Sequence, residues 1–405
     1  MAQPKFSIPP EYQSQLRHIS PKDTRTDAEI LTALSQHQPV TSEKNIWAYW
    51  HSGLTTMPPW CQRNILGWVR INGPSWTVRV LDSVPDSPNH FLQYIDGSIL
   101  PEAFVKGEMT GPYTGPHSAD FLKGACPLSH GGVFLDVGCI MFNSIDKICW
   151  RHLEDDNDPW NVAVPLMYAQ TMANHFVAAR KGDPFVKRWH ELFMELWRGQ
   201  RSHEGLIENP LIGFGKTLDF EDSRASKFRW DFAVEPVTVM EYIAQVLCWV
   251  RLCMLEPVEG ASGEEAFDCS AYWEGHVMVF DVLKESWGAE ETVGFGLGER
   301  IVELLGVRVD GDVESREWKD AYKLVWRLLS GSSLQKVTHG KGLTKAAALG
   351  VLLDRKENEG VDCAEGTFGE LLRYGCVHFE QTREEIELME AKPVKMKMKK
   401  GVFEP

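Results

Sequence analysis

Aromatic and apolar residues fill Ile46–Trp50, and Gly53, Pro58 and Pro59 come after them, a pattern that predicts a buried strand running into a loop. A helix is expected over Cys61–Arg70. Trp76–Asp82 then alternates bulky and polar residues and ends on a carboxylate, which predicts a second strand. Strand, helix, strand in this order makes a βαβ unit, whose expected product is a parallel sheet with a crevice at the carboxyl ends of its strands. Gly107–Pro116 reads as a surface loop. Ser118 is placed to cap a helix carrying Phe121, Leu122, Ala125 and Leu128, with Pro127 an awkward residue inside it. Gly131-Gly132 breaks the chain before Val133–Gly138, an apolar strand with one carboxylate, Asp136, near its end.

Helical spacing governs most of the chain beyond residue 180. Asp183 and Pro184 supply an N-cap and a first-turn proline, and Phe185, Trp189, Leu192, Phe193, Leu196 and Trp197 form one face before Gly199 ends the helix. A second long helix is expected over Val237–Leu255, and shorter ones over Gly298–Leu305, Trp318–Leu329 and Lys345–Leu353. Upstream, a short helix is expected over Thr26–His37. The organisation read from these patterns is a peripheral segment at 1–45, a catalytic domain at 46–259, a mostly helical region packed on it at 260–390, and a basic tail at 391–405. The tail has five lysines within Lys392–Lys400 and is expected to be mobile.

Composition narrows the setting. A net charge of -15 argues against broad electrostatic attraction to nucleic acid. The nine scattered cysteines contain no CxxC pair, so they read as reduced, mostly buried thiols of a cytoplasmic protein. The first fifteen residues lack an apolar signal core. Val237–Leu255 carries Glu241, Gln245 and Arg251, so no stable membrane span is expected.

The candidate chemistry concentrates in His117-Ser-Ala-Asp120-Phe-Leu-Lys123 and Gly131-Gly132-Val-Phe-Leu-Asp136-Val-Gly138. Two adjacent glycines permit a tight turn and close approach of a ligand to the backbone. Carboxylates at a strand end suit a hard cation such as Mg²⁺ or Mn²⁺, which neutralises a departing diphosphate. A plainer reading stands beside this one, with Asp136 merely ending a strand and the glycines merely turning the chain. No GxSxG elbow, phosphate-cradling GxxxxGK[ST] or HExxH motif is present. The run Gly294–Gly298 follows no convincing strand and carries little weight.

These residues resemble the capsular-polysaccharide-synthesis type of glycosyltransferase, including its fungal branch, and more distantly the initiating mannosyltransferase group with its S-D…R…G-G-hydrophobic-hydrophobic-D signature. The resemblance runs from about Trp47 to Trp197. It implies a GT-A-like α/β fold, with a mainly parallel central sheet flanked by helices and a helical C-terminal extension. It further implies that Asp120 helps hold the nucleotide and that Asp136 is the first acid of a DxD motif binding a divalent metal. Two positions depart from the pattern: Gly138 stands where the second acid belongs, and Lys123 where the arginine belongs, so metal dependence is in question. Tyr49 and Trp50 are candidates to stack a nucleobase, or else belong to a buried aromatic strand. Asn174-His175 resembles the family's loop beside the reaction centre. His175 is a candidate acid or base or a structural histidine.

The function expected is transfer of a sugar from a nucleotide-sugar donor to a small-molecule acceptor, of secondary-metabolite or lipid-like character given the abundant aromatics. An alternative is a tRNA-dependent, arginine-using cyclodipeptide synthase on the same fold, in which Asp120 and Asp136 meet cationic groups and the lysine tail meets tRNA. A further one is a non-catalytic binding protein. Removal of Asp136 is expected to abolish activity at little cost in stability.

Overall fold

The structure, a computed structural model, describes residues 4–218, 230–338 and 340–405. Its centre is a mixed sheet of β1 (Asn45–Tyr49), β2 (Thr77–Leu81), β3 (Gly132–Leu135), β4 (Val162–Met167), β5 (Thr171–Met172), β6 (Phe176–Ala179) and β7 (Val277–Asp281). The strand order is β7-β4-β6-β3-β1-β2, with β5 paired to β4. β1 runs parallel to β2 and β3, and β7 parallel to β4. β6 is antiparallel to β3 and β4 on either side of it. The principal helices are α1 (Asp27–Leu34), α2 (Pro59–Asn72), α3 (Thr114–His130), α4 (Pro184–Leu196), α5 (Pro236–Tyr242), α6 (Ala244–Met254), α7 (Gly288–Val293), α8 (Gly298–Leu305), α9 (Arg316–Gly331) and α10 (Phe368–His378). The βαβ unit read from the sequence is β1-α2-β2. Because β7 comes from residues 277–281, the sheet draws on chain both before and after residue 259.

Strand periodicity sorts the core into two layers. Ile46, Ala48, Val133 and Leu135 point to one face, and Trp47, Tyr49 and Phe134 to the other. Helices α2, α8, α9 and α10 cover the first face through Ile65, Leu304, Leu324 and Leu372. Helices α3, α4 and α6 cover the second through Phe121, Trp189 and Trp249. Burying an aliphatic or aromatic side chain of this kind contributes about 1.5–3 kcal/mol. The N-terminal segment joins the first layer: Leu16–His18 pairs antiparallel with Phe379–Gln381, and Ile30 is fully buried. Its helix α1 begins at Asp27, one residue later than expected, because Thr26 is its N-cap and closes a capping box with Glu29.

Several elements differ from the expectation for identifiable reasons. Helix α3 begins at Thr114, and Ser118 lies inside it, its hydroxyl donating to the Thr114 carbonyl at 2.8 Å instead of capping a helix end. Pro127 is accommodated in the last turn, where its carbonyl accepts the Gly131 N–H at 2.8 Å. The long helix at 237–255 is two helices, α5 and α6, bent by 77° at Ile243, whose φ of -91° and ψ of 20° leave the helical path. Among the described residues no single helix is long and apolar enough to cross a membrane. Helix formation near 345–353 is confined to Leu349–Leu353. All nine cysteines are unbridged, and only Cys363 is not buried.

The stretch read as a mobile lysine tail runs back across the molecule. Met398-Lys399 pairs parallel with Leu255-Glu256, Arg251 donates to the carbonyls of Gly401, Val402 and Glu404, and Lys397 pairs with Glu274 at 3.2 Å.

Asp183 caps α4 as the sequence indicates: one carboxylate oxygen accepts the Phe185 and Val186 N–H groups at 3.0 and 2.9 Å, and the other accepts the Tyr272 hydroxyl. Asp183→Ala removes a cap and takes the partner from a half-buried phenol, so urea unfolding should show a loss of about 2 kcal/mol.

Candidate active site

A run of alternating charges crosses the carboxyl end of β3. Helix α3 places Asp120 and Lys123 one turn apart on a buried face, and Lys123 Nζ lies 2.8 Å from Asp120 Oδ1 and 3.1 Å from Asp136 Oδ1. The other oxygen of Asp136 accepts from the ammonium of Lys336. Register explains how a residue two hundred positions away arrives there. Cys139–Met141, following the turn after Asp136, pairs antiparallel with Leu334–Lys336, which sets Lys336 opposite Cys139. The Asp136 N–H donates to the His175 carbonyl at 2.9 Å, so the end of β3 is fixed from both sides.

The charged states follow from this geometry. Burial opposes the charge on Asp136, but Lys123 and Lys336 outweigh it and hold the carboxyl well below its usual range. Asp120 is shifted downward on the same balance, with burial opposed by Lys123 and His117. Burial likewise disfavours the Lys123 ammonium, yet its two carboxylates raise it above the ordinary lysine value. The cluster is braced by Asn174, whose amide donates to Asp120 Oδ1 at 3.1 Å and to Gln245 Oε1 at 2.9 Å. Gln245 in turn donates to the Asp120 carbonyl at 2.5 Å. The bend between α5 and α6 presents both Gln245 and Tyr242. The Tyr242 phenol is pushed well above its usual range by burial and by the charges of Asp120 and Asp136, against the opposing pull of Lys123.

Of the residues singled out by sequence, Asp120, Lys123, Asp136 and His175 are brought together. His175 is 2% exposed, its Nε2 has no hydrogen-bond partner among the described residues, and burial with the charge of Lys336 keeps the ring neutral. Tyr49 packs in the core edge-on to Phe104, with its hydroxyl against Ser83 Oγ at 2.7 Å. Trp50 is half-buried beside His51 and packs on the first core layer. Gly131 and Gly132 stand apart from this cluster. They lie at the opposite end of β3 from Asp136, both with positive φ, and the space a Cβ would take is filled by the Glu43 side chain at Gly131 and by the Asn45 carbonyl, 2.3 Å away, at Gly132. The glycines permit close approach of the chain to its neighbour.

Beside the charge cluster opens a cavity lined by Trp230, Trp287, Phe295, Glu290, Thr338 and Lys336, with about 70 Å³ open to the centre of a water-sized sphere. Sequence reading missed Lys336, Trp287 and Glu290, which carry no motif and depend on contacts far along the chain. Gly296 and Gly298, from the glycine-rich run given little weight, border the same cavity.

As placed, these residues do not fit a divalent cation. Both oxygens of Asp136 face ammonium groups, whose charge repels a second cation. A Cβ at Gly138 would lie 2.2 Å from Thr338 Oγ1, so the backbone there leaves no room for the second acid of a DxD motif. Among the described residues, no three His, Cys, Asp or Glu side chains gather as a metal site.

Comparison with known proteins places these features in context. No family model matches the chain. It is 51% identical to a probable glycosyltransferase, FCK3, of Fusarium pseudograminearum, over 98% of this chain and 99% of that protein. It is 34% identical to the O-glycosyltransferase braB of Annulohypoxylon truncatum, over 95% of this chain and 91% of that one. It is 36% identical to the glycosyltransferase afumC of Aspergillus fumigatus, over 94% and 96%. None of these names mentions capsular polysaccharide. Among solved structures, the PaToxG glycosyltransferase overlaps 49% of this chain and 79% of that one at 14% identity and a TM-score of 0.30, too weak to assign a GT-A fold. The fold class therefore rests at mixed α/β.

Gly138→Asp should not create metal-stimulated activity and should cost about 1–3 kcal/mol in urea unfolding, because the new side chain drives into Thr338. Asp136→Asn should also lose about 1–3 kcal/mol at neutral pH, since it leaves Lys336 underpaired; the expectation of a nearly cost-free removal gives way to this. With its folded pKa depressed, the Asp136 carboxylate stabilises the fold above about pH 4 and loses that contribution as pH falls further. The stability gap between wild type and Asp136→Asn should therefore narrow in acid, and a constant gap from pH 7 to pH 2 would contradict the ion pairing.

Proposed function

The chain belongs to a family of fungal glycosyltransferases, and from that premise we propose that it moves a sugar from a nucleoside-diphosphate donor to a hydroxyl of a small secondary-metabolite acceptor. The observation that carries this reading is the pair of ammonium groups, Lys123 and Lys336, at the carboxyl end of a parallel strand, where open α/β sheets take their ligands. A departing nucleoside diphosphate concentrates negative charge, and preorganised cations aimed at it lower the barrier most in a site that excludes water. On this reading Lys336, less buried than Lys123, meets the diphosphate. Lys123 stays charged through its two carboxylates and holds Asp136 against the sugar. The position that a metal takes in DxD enzymes is thus filled by protein ammonium. The name O-glycosyltransferase, carried by braB and by PaGT of Phomopsis amygdali, 35% identical over 89% of this chain, supports an oxygen acceptor.

Thermal-shift titration with UDP- and GDP-sugars tests the reading, run once with Mn²⁺ and once with EDTA. One nucleotide sugar should stabilise the wild type, by about 2.7 kcal/mol at a hundredfold excess over Kd, equally in both buffers. Lys336→Met should weaken that donor at least tenfold while the protein remains folded. Absence of stabilisation by any nucleotide sugar would sink the donor assignment, and stabilisation only with Mn²⁺ would restore the metal. Product formed from arginyl-tRNA would establish the cyclodipeptide alternative, and neither activity would leave a binding protein.

A further inference from the structure

Resting on the donor assignment above, we propose that the cavity beyond Lys336 is the acceptor site, that it takes a polycyclic phenol or alcohol, and that Glu290 is the catalytic base that receives the acceptor's hydroxyl proton.

Position comes first. Lys336 belongs to both places, its ammonium on Asp136 and the residue itself in the cavity lining. Trp287 joins them again: its ring stacks on His175 at 6.2 Å and 22°, and the His175 carbonyl holds the Asp136 N–H. The cavity and the charge cluster are thus neighbours that share Lys336.

Lining chemistry selects the ligand class. Trp230, Trp287 and Phe295 meet pairwise at 5.5–5.8 Å and at 67–84°, which presents aromatic walls in three orientations. Such walls suit a rigid ring system better than a flexible sugar chain.

Glu290 is the carboxylate held in this lining by a dedicated partner. Gln335, buried in the strand that delivers Lys336, accepts the Ala289 N–H at 2.9 Å and donates to Glu290 Oε2 at 2.8 Å. That leaves Oε1 without a bond from Gln335. Burial raises the Glu290 carboxyl to about 7, against the lowering effect of Gln335, where a general base works best at neutral pH. The adjoining Asp231 is paired with Lys345 at 2.8 Å, and Glu291 with Arg327 at 2.8 Å, so neither is poised in the same way. In the step, the acceptor oxygen forms a bond to the anomeric carbon as the bond from that carbon to the diphosphate oxygen breaks. The electron pair leaves with the nucleoside diphosphate, and the hydroxyl proton passes to Glu290.

The experiment uses the full chain, quercetin as a planar polyphenol probe, and the nucleotide sugar found to stabilise the protein. Calorimetry should show quercetin binding to the wild type and equally to Glu290→Gln, which keeps the amide partner and the volume. Transfer to quercetin should fall by about 10²–10⁴ in kcat for Glu290→Gln, with both KM values unchanged. Trp287→Phe should raise the KM for quercetin and leave that for the donor. A wild type that binds its nucleotide sugar but not quercetin would overturn the acceptor site, and undiminished kcat in Glu290→Gln would overturn the base. If quercetin binds and no nucleotide sugar does, the donor assignment fails instead.

Discussion

A lysine ammonium buried to 5% side-chain exposure must be paired, and most of the site follows from that requirement. Lys123 on α3 would be a costly internal charge were it not held between Asp120 and Asp136. Asp136, so engaged, has one oxygen left, which Lys336 takes. Four charges in series, two of each sign, therefore tie a helix, the end of a central strand and a short ladder from the C-terminal third into one polar unit. Asn174 and Gln245 satisfy what the charges leave over, and the bend at Ile243 exists where it lets α6 present Gln245 to that unit.

The same arrangement accounts for the glycine two residues beyond Asp136. At Gly138 the chain passes so close to Thr338 that a side chain is excluded, and the strand ending two residues before Thr338 sets the Lys336 ammonium on Asp136. A fixed ammonium and a bound dication perform related electrostatic work on a diphosphate. The ammonium needs no ligand set, only a carboxylate to keep it charged and oriented. The two-layer core serves this chemistry by fixing the ends of its strands: aliphatic packing on one face and aromatic packing on the other leave the carboxyl end of β3 as the place where polar groups converge.

Much of the frame was legible from local pattern. Ile46–Trp50, Trp76–Asp82, the capped helix after Asp183 and the helix Gly298–Leu305 follow from periodicity and end signals, which depend on residues close in sequence. Elsewhere the local rules misled where tertiary contacts outweighed them. Ser118 is a good cap by type, but the helix had already begun. Pro127 is a poor helical residue, but in the last turn it displaces little. The Gly131-Gly132 pair signalled close approach, and the structure supplies Glu43 and Asn45 as its neighbours, because sequence records that a side chain is excluded and not what excludes it.

By itself, then, the sequence determined β1, β2 and β3, helices such as α2, α4 and α8, the apolar faces that bury them, and the presence of Asp120, Lys123 and Asp136 near a strand end, all from residues that act within a turn or two of one another. Only the tertiary structure decided what Asp136 would face. The ladder that delivers Lys336 and Gln335, the aromatic walls from Trp230 to Phe295, and the carboxyl of Glu290 join that centre across one to two hundred residues. Nothing in a local pattern encodes such meetings, because they are set by strand register and by the packing of layers against each other.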